Sequence, residues 1–201
     1  MRFFSSRLLQ QLAVAAALVM PTLVHAQHGV APPIPSAPQE ASQFDFLVGQ
    51  WEVVAKPKAS GMAERIHGAP KLPGVWKAWR GLDGWGIEDE LRLSDSSGNP
   101  LLVQHSLRIW DPKAQQWSLS SLNVYRSTFT SGTAVWRDGE MQVTSRATDS
   151  QGREFLARTR FLDIKADGFR MQQDRSFDDG KTWTEKALTI DAKRVAAVAP
   201  R

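Results

Sequence analysis

The ionisable residues that could do chemistry in this chain stand singly in apolar stretches. Asp89, His105 and Arg175 each lie at two-residue spacing from Ile, Leu, Val, Phe or Met, which predicts one shared strand face for each set. If these faces line one lumen, the three side chains could converge there with Tyr125 or Arg126. Such a cluster would bind the polar head group of a ligand, and Asp89 with His105 would suit general acid/base catalysis.

A structural interpretation of the same residues stays open. Buried charges in proteins are normally paired whatever their purpose, so Asp89 and Arg175 could form an ion pair that serves packing alone. If the lumen is open instead, we predict a wall made of large apolar side chains: Trp79, Trp85, Phe161, Phe169 and Met171.

Metal and cofactor chemistry has little support in the sequence. The chain has no cysteine, which excludes thiolate metal sites, cysteine nucleophiles and disulfides. Its histidines are His25, His28, His67 and His105, and no two stand at ligand spacing on one strand. We therefore predict no metal and no cofactor. Haem bound through His105 is an exception that an absorption spectrum would reveal.

Alternation of apolar and polar residues between Gly, Asp and Asn turns predicts about ten short strands. Two-residue turns such as Asp138-Gly139 join successive strands as hairpins, so the sheet should be an antiparallel meander. A meander of this length hides its edges by closing into a β-barrel. The predicted fold is all-β, with these strands: 48–56, 75–82, 85–93, 100–110, 116–126, 131–137, 140–148, 153–164, 169–177 and 182–191.

The N-terminal region predicts export. Residues 1–26 combine Arg2 and Arg7, a short apolar run and a small-x-small site ending at Ala26, which is the pattern of a cleavable signal peptide. We expect a periplasmic or secreted protein without a membrane anchor after cleavage. The other predicted parts are a Pro-rich disordered linker at 27–43, the barrel at 44–192 and a tail at 193–201.

The loop between the first two predicted strands, 56–74, is long and rich in Gly, Pro and Lys. It could include a short helix at 62–67. A lid over the barrel and a surface loop without a role are both open interpretations.

Charge argues against nucleic acid as a partner. The chain has 25 basic and 21 acidic side chains, and cleavage after Ala26 would remove two of the basic ones. The remaining charge is nearly neutral and shows no Lys/Arg block.

Several short motifs occur in a fixed order from residue 44 to about 191. They begin with Phe44-Asp45-Phe46, Gly49 and Trp51, and continue with Gly84 to Glu90, Arg108 to Asp111 and Arg175 to Trp183. In this order they resemble an uncharacterised family of exported bacterial lipocalin-like proteins. The resemblance implies a calycin-type barrel, related in fold to nitrobindins and fatty-acid-binding proteins, and no established reaction. It also implies that Trp51 packs under the barrel floor beside a basic residue.

The segment Ser176 to Trp183 also fits the Asp-box pattern Ser-x-Asp-x-Gly-x-Thr-Trp. In sialidase propellers this motif shapes a hairpin and is not catalytic. One copy without an internal repeat predicts a stabilised turn.

Three functions from different classes follow. The favoured one is a binding module that holds a small apolar or amphipathic ligand in the lumen, anchored by Asp89, His105, Tyr125, Arg126 and Arg175. The alternatives are an enzyme using Asp89 and His105, and an envelope interaction protein whose barrel is packed solid. The sequence does not set the oligomeric state.

Overall fold

Ten antiparallel strands follow one another along the chain and close into one barrel. The computed structural model describes residues 35–59, 66 and 68–195. Each strand pairs with its neighbours in sequence, and β1 pairs with β10 to close the sheet. The predicted all-β, lipocalin-like meander barrel is confirmed. The strands are β1 (Gly49–Pro57), β2 (Leu72–Gly81), β3 (Gly86–Ser94), β4 (Pro100–Asp111), β5 (Gln116–Asn123), β6 (Thr128–Arg137), β7 (Glu140–Thr148), β8 (Glu154–Lys165), β9 (Gly168–Ser176) and β10 (Thr184–Arg194).

Short polar turns hold successive strands in register. Asp138 and Gly139 connect β6 to β7 with φ of 55° and 77°, as a two-residue type I′ hairpin requires. Between β3 and β4, the carboxylate of Asp95 accepts hydrogen bonds from the backbone N–H groups of Ser97 and Asn99. These local bonds replace the strand ladder at each turn, and they explain why neighbours in sequence become neighbours in the sheet.

The segment before β1 closes one end of the barrel, which we call the floor. Two short 3-10 helices, Gln39–Ser42 and Asp45–Leu47, carry Phe44 and Leu47 into this end, where both side chains are fully buried. The Phe44 ring meets Trp117 edge-on at 4.8 Å between centroids. Aromatic side chains from both sides of the barrel therefore fill the floor, and the opposite end forms the mouth.

Parts of the described structure lie beyond the limits predicted for the barrel, 44 and 192, and the domain division itself stays a prediction. Ala41, inside the predicted linker 27–43, is buried in the core. Strand β10 continues to Arg194, two residues into the predicted tail. The predicted signal peptide lies outside the described residues, and so does the predicted helix at 62–67, apart from Ile66.

Candidate functional site

The barrel is not packed solid, because a cavity of about 530 Å³ occupies the lumen between the floor and the mouth. This volume lies within the usual range for small-molecule sites. The arc formed by β10, β1, β2 and β3 lines the cavity with apolar side chains, among them Leu72, Trp76, Leu91, Leu93, Leu188 and Ile190. The facing arc of β4 to β7 adds hydroxyl and amide groups: Gln104, Ser121, Asn123, Thr128, Thr130 and Ser145. The lumen is therefore amphipathic.

A buried ion pair lies at the deep end of the cavity. Asp89 on β3 is 1% exposed, and its Oδ2 pairs with Nη1 of Arg108 on β4, which is 5% exposed. The indole of Trp76 donates to Asp89 Oδ1 at 2.7 Å, and the Arg108 guanidinium stands 5.2 Å from the centroid of the Phe44 ring. Burial lowers the pKa of Arg108 to about 9. The side chain still carries its charge at neutral pH, balanced by Asp89.

A second arginine, Arg175, lines the cavity near its mouth at the end of β9. Its Nε donates to Gln173 Oε1 at 2.7 Å, and its guanidinium lies 4.7 Å from the centroid of the Phe155 ring. Burial lowers the pKa of Arg175, and the charge of Asp149 opposes that shift. Asp149 itself pairs with Arg153. Among the described carboxylates, none forms an ion pair with Arg175, so its charge is available to a ligand.

The predicted site residues divide between the two sides of the barrel wall. Arg126 and Arg175 line the cavity, and Asp89 lies directly behind it, held by Arg108. His105 and Tyr125 do not face the lumen. His105 is paired across the sheet with Glu90 on the outer face, and Tyr125 lies in the β5–β6 turn with its side chain exposed.

The prediction for β4 was wrong by one residue of alternation. Most of its apolar set, Leu101 to Ile109, lies on the outer face, where Leu107 and Ile109 are 42% exposed; Val103 is buried, and Leu101 at the strand's start lines the cavity. The polar set on the same strand, including Gln104 and Arg108, points inward. A strand of a hollow barrel can pack its inner face against a polar cavity, so the usual link between apolar residues and the inside fails here.

Three further predictions about the lumen are wrong in this structure. Asp89 and His105 lie on opposite faces of the sheet and cannot form an acid/base pair. The predicted pairing of Asp89 with Arg175 is replaced by Asp89 with Arg108. A lumenal haem would not reach His105.

The predicted apolar wall is only partly found at the cavity. Phe161 and Met171 line the cavity, Phe169 packs in the core, Trp85 packs against the core, and Trp79 lies on the outer face.

Arg108 and Gln104 are among the cavity residues that were not predicted from the sequence. A signal for them existed in the tryptophans of the β4–β5 hairpin. Trp110 and Trp117 are cross-strand partners, and both are buried in the floor. Counting back from Trp110 by two residues places Arg108, Ser106 and Gln104 on the inner face.

Within the described residues, no group of three or more His, Asp or Glu side chains is placed to hold a metal ion. No helix in the described part of the chain is long and apolar enough to cross a membrane.

Comparisons with known proteins support the fold. No protein-family model matches the chain, and no curated protein matches it either. Among solved structures, an S-type phycobiliprotein lyase from Guillardia theta is similar, with a TM-score of 0.52 and 11% sequence identity. The match covers 78% of this chain and 93% of that one. At this identity the likeness shows the fold alone, a lipocalin-like β-barrel.

Proposed function

We propose that this barrel binds one small amphipathic molecule in its lumen and that Arg175 is the counter-charge for an anionic group of that molecule. The observation that carries the proposal is the cavity of about 530 Å³ with an apolar arc on one side and hydroxyl and amide groups on the other. Such a lumen suits a ligand with an apolar flank and a polar edge better than a purely apolar one.

The environment of Arg175 supports its role as the anchor. A guanidinium that is partly removed from water gains more from a carboxylate than an exposed one does, because the local dielectric is lower. Gln173 and Phe155 fix the orientation of the side chain, so little conformational entropy is lost when an anion binds. Arg126, also at the cavity, adds a second positive charge to the same region.

The likeness to a phycobiliprotein lyase adds support for a barrel that holds a small ligand. We also propose that binding follows export to a periplasmic or extracellular space, because residues 1–26 have the signal-peptide pattern described above.

The test of this proposal is the binding of matched amphiphiles to wild type and Arg175→Met. Methionine keeps much of the side-chain volume and removes the charge. Dodecanoate should bind wild type, displacing an anionic fluorescent probe, and should lose about 10- to 150-fold in affinity for the variant, since a hydrogen bond to a charged group contributes roughly 1.5 to 3 kcal/mol. Dodecanol, which is neutral, should bind both proteins alike.

Arg137→Met is the matched control for this test. It removes the same charge from an exposed residue at the floor end of β6, and it should leave dodecanoate binding unchanged. Equal dodecanoate affinity for wild type and Arg175→Met would reject the anchor. Absence of binding by any amphiphile would reject the binding function itself.

A further inference from the structure

The deep end of the cavity contains a charged side chain that the proposed function has not used. Arg108 lines the cavity from β4 while its side chain is only 6% exposed. Asp89 engages Nη1, and the indole of Trp76 holds the other oxygen of that carboxylate in place at 2.7 Å. Arg108 is therefore fixed from behind by two buried residues.

Two nitrogens of this guanidinium have no hydrogen-bond partner among the described residues. Nη1 is engaged by the ion pair with Asp89, whereas the buried Nε–H has no acceptor in the described part of the chain. An unsatisfied buried donor is costly, and native cores rarely keep one without a reason. Packing against Phe44 explains the position of the side chain but leaves this donor unused. Because Arg108 lines the cavity, a ligand oxygen that reaches the cavity floor would give its guanidinium a further acceptor.

The charge balance decides which kind of oxygen fits. Asp89 already neutralises Arg108, so a second carboxylate at this depth would bring an uncompensated negative charge into a buried site. A hydroxyl, ketone or amide oxygen accepts the same hydrogen bond without that cost. Arg175 at the mouth differs, because none of the described carboxylates pairs with it.

We propose that Arg108 is a second, deep anchor, which binds a neutral acceptor oxygen at the leading end of the ligand. The ligand class is then an oxygenated amphipathic acid: a carboxylate at one end for Arg175, an apolar middle, and a hydroxyl or oxo group at the other end for Arg108. This inference rests on the proposed function and specifies the ligand of the same lumen.

Three acids of one chain length test the deep anchor on the intact protein: dodecanoate, 12-hydroxydodecanoate and dodecanedioate. We expect 12-hydroxydodecanoate to bind about tenfold tighter than dodecanoate, the factor for one hydrogen bond to a charged donor. Dodecanedioate should bind no tighter than dodecanoate. Equal affinities for the hydroxy acid and the plain acid, or a preference for the dicarboxylate, would overturn the inference.

Variants separate this outcome from a failure of the proposed function. Arg108→Met alone would leave Asp89 unpaired and could unfold the protein, so the useful variant is the pair Asp89→Asn with Arg108→Met, which removes both charges together. It should lose the preference for the hydroxy acid and still bind dodecanoate. Arg175→Met should lower the affinity for dodecanoate and for 12-hydroxydodecanoate by the same factor and keep the preference for the hydroxy acid.

If no acid binds wild type, the proposed function has failed. If the acids bind and the double variant keeps the preference, only the deep anchor has failed.

A spectroscopic readout reports the contact directly. The indole N–H of Trp76, assigned by Trp76→Phe, should shift in an amide and indole NMR spectrum when 12-hydroxydodecanoate binds, because the ligand oxygen changes the charge environment of Asp89. The indole N–H of Trp183, which donates to the Gly180 carbonyl, should not move. A bound hydroxy acid that leaves the Trp76 signal unmoved would contradict the deep site.

Discussion

Arg194 shows how single residues close the barrel at the floor. Its Nη1 donates to the Val48 carbonyl at 2.9 Å, its Nε donates to the Ala166 carbonyl at 2.6 Å, and its guanidinium lies 4.0 Å from the centroid of the Trp51 ring. Gly49 adopts a φ of 129°, and a side chain there would collide with the guanidinium. The Gly49-x-Trp51 spacing is therefore a packing requirement: glycine admits the arginine, and tryptophan supports it.

We expect Trp51→Ala to destabilise the barrel by roughly 3 to 5 kcal/mol, the usual cost of truncating a large buried aromatic. Trp51 is fully buried, and its indole donates to the Leu47 carbonyl at 2.7 Å. The change removes this bond, the contact with Arg194 and the edge-on contact with Phe169. Denaturant unfolding measures the loss. Trp79→Ala, which truncates a half-exposed tryptophan on the outer face, is the control and should cost about 1 kcal/mol or less.

At the scale of the strand, β4 shows where sequence patterning misleads. Its inner residues include Gln104 and Arg108, and its outer residues include Leu107 and Ile109, so the more apolar face is the exposed one. Alternation alone gives the period of a strand but not which face is inside. The strands of the apolar arc, such as β3 with Leu91 and Leu93, follow the ordinary rule. The buried aromatic residues of the floor identify the inner face of a strand, whether that face is apolar or polar.

The hairpin between β9 and β10 has the predicted Asp-box geometry. The Asp178 carboxylate accepts from Ser176 Oγ at 2.7 Å, from the Thr182 backbone N–H at 2.9 Å and from Thr182 Oγ1 at 2.6 Å. The Trp183 indole donates to the Gly180 carbonyl, and the Arg158 guanidinium lies 3.7 Å from the centroid of the Trp183 ring. The motif is architectural here, because each of these contacts lies within the turn or joins the turn to the neighbouring strand β8.

This hairpin predicts a specific acid response. Hydrogen bonds from Thr182 and Ser176 lower the pKa of Asp178 to about 2 from its ordinary 3.8. A depressed folded-state pKa stabilises the protein above the ordinary value, and that stabilisation is lost as the pH falls from about 4 to about 2. Asp178→Asn should melt at a lower temperature than wild type at pH 5 and should lose less on acidification.

Thermal melts of both proteins between about pH 5 and pH 2 measure this difference. Asp179→Asn is the control, because the neighbouring Asp179 carboxylate makes only an exposed ion pair with Arg146. That variant should follow the wild-type curve. Parallel curves for wild type and Asp178→Asn would show that the Asp178 carboxylate does not contribute to stability through its ionisation.

For the whole molecule, the fold could be predicted from the sequence, whereas the site could be predicted only in part. Ten strands, their sequential pairing and the barrel closure follow from turns such as Asp138-Gly139 and from the alternating pattern, since both are local signals. The partner of Asp89 was not accessible. Arg108 reaches Asp89 through the pairing of β3 with β4, and the choice between Arg108 and Arg175 depends on which face of β4 turns inward. Which face of β4 turns inward is determined by the closed barrel as a whole and not by the sequence of any one strand.

Processing is the prediction that concerns the chain as a whole. Arg2 and Arg7 precede an apolar run of about 13 residues, too short to span roughly 30 Å of hydrocarbon, and a small-x-small site ends at Ala26. We expect the mature chain to begin at Gln27 and to be recovered outside the cytoplasm. N-terminal sequencing and intact mass of protein isolated from the exported fraction measure this. Ala26→Arg, which blocks the small-residue requirement of the cleavage site, should leave the precursor uncut. Recovery of wild-type chains that retain Met1 in a membrane fraction would contradict the assignment, and it would place the barrel on a tether at the bilayer instead of free in the exported space.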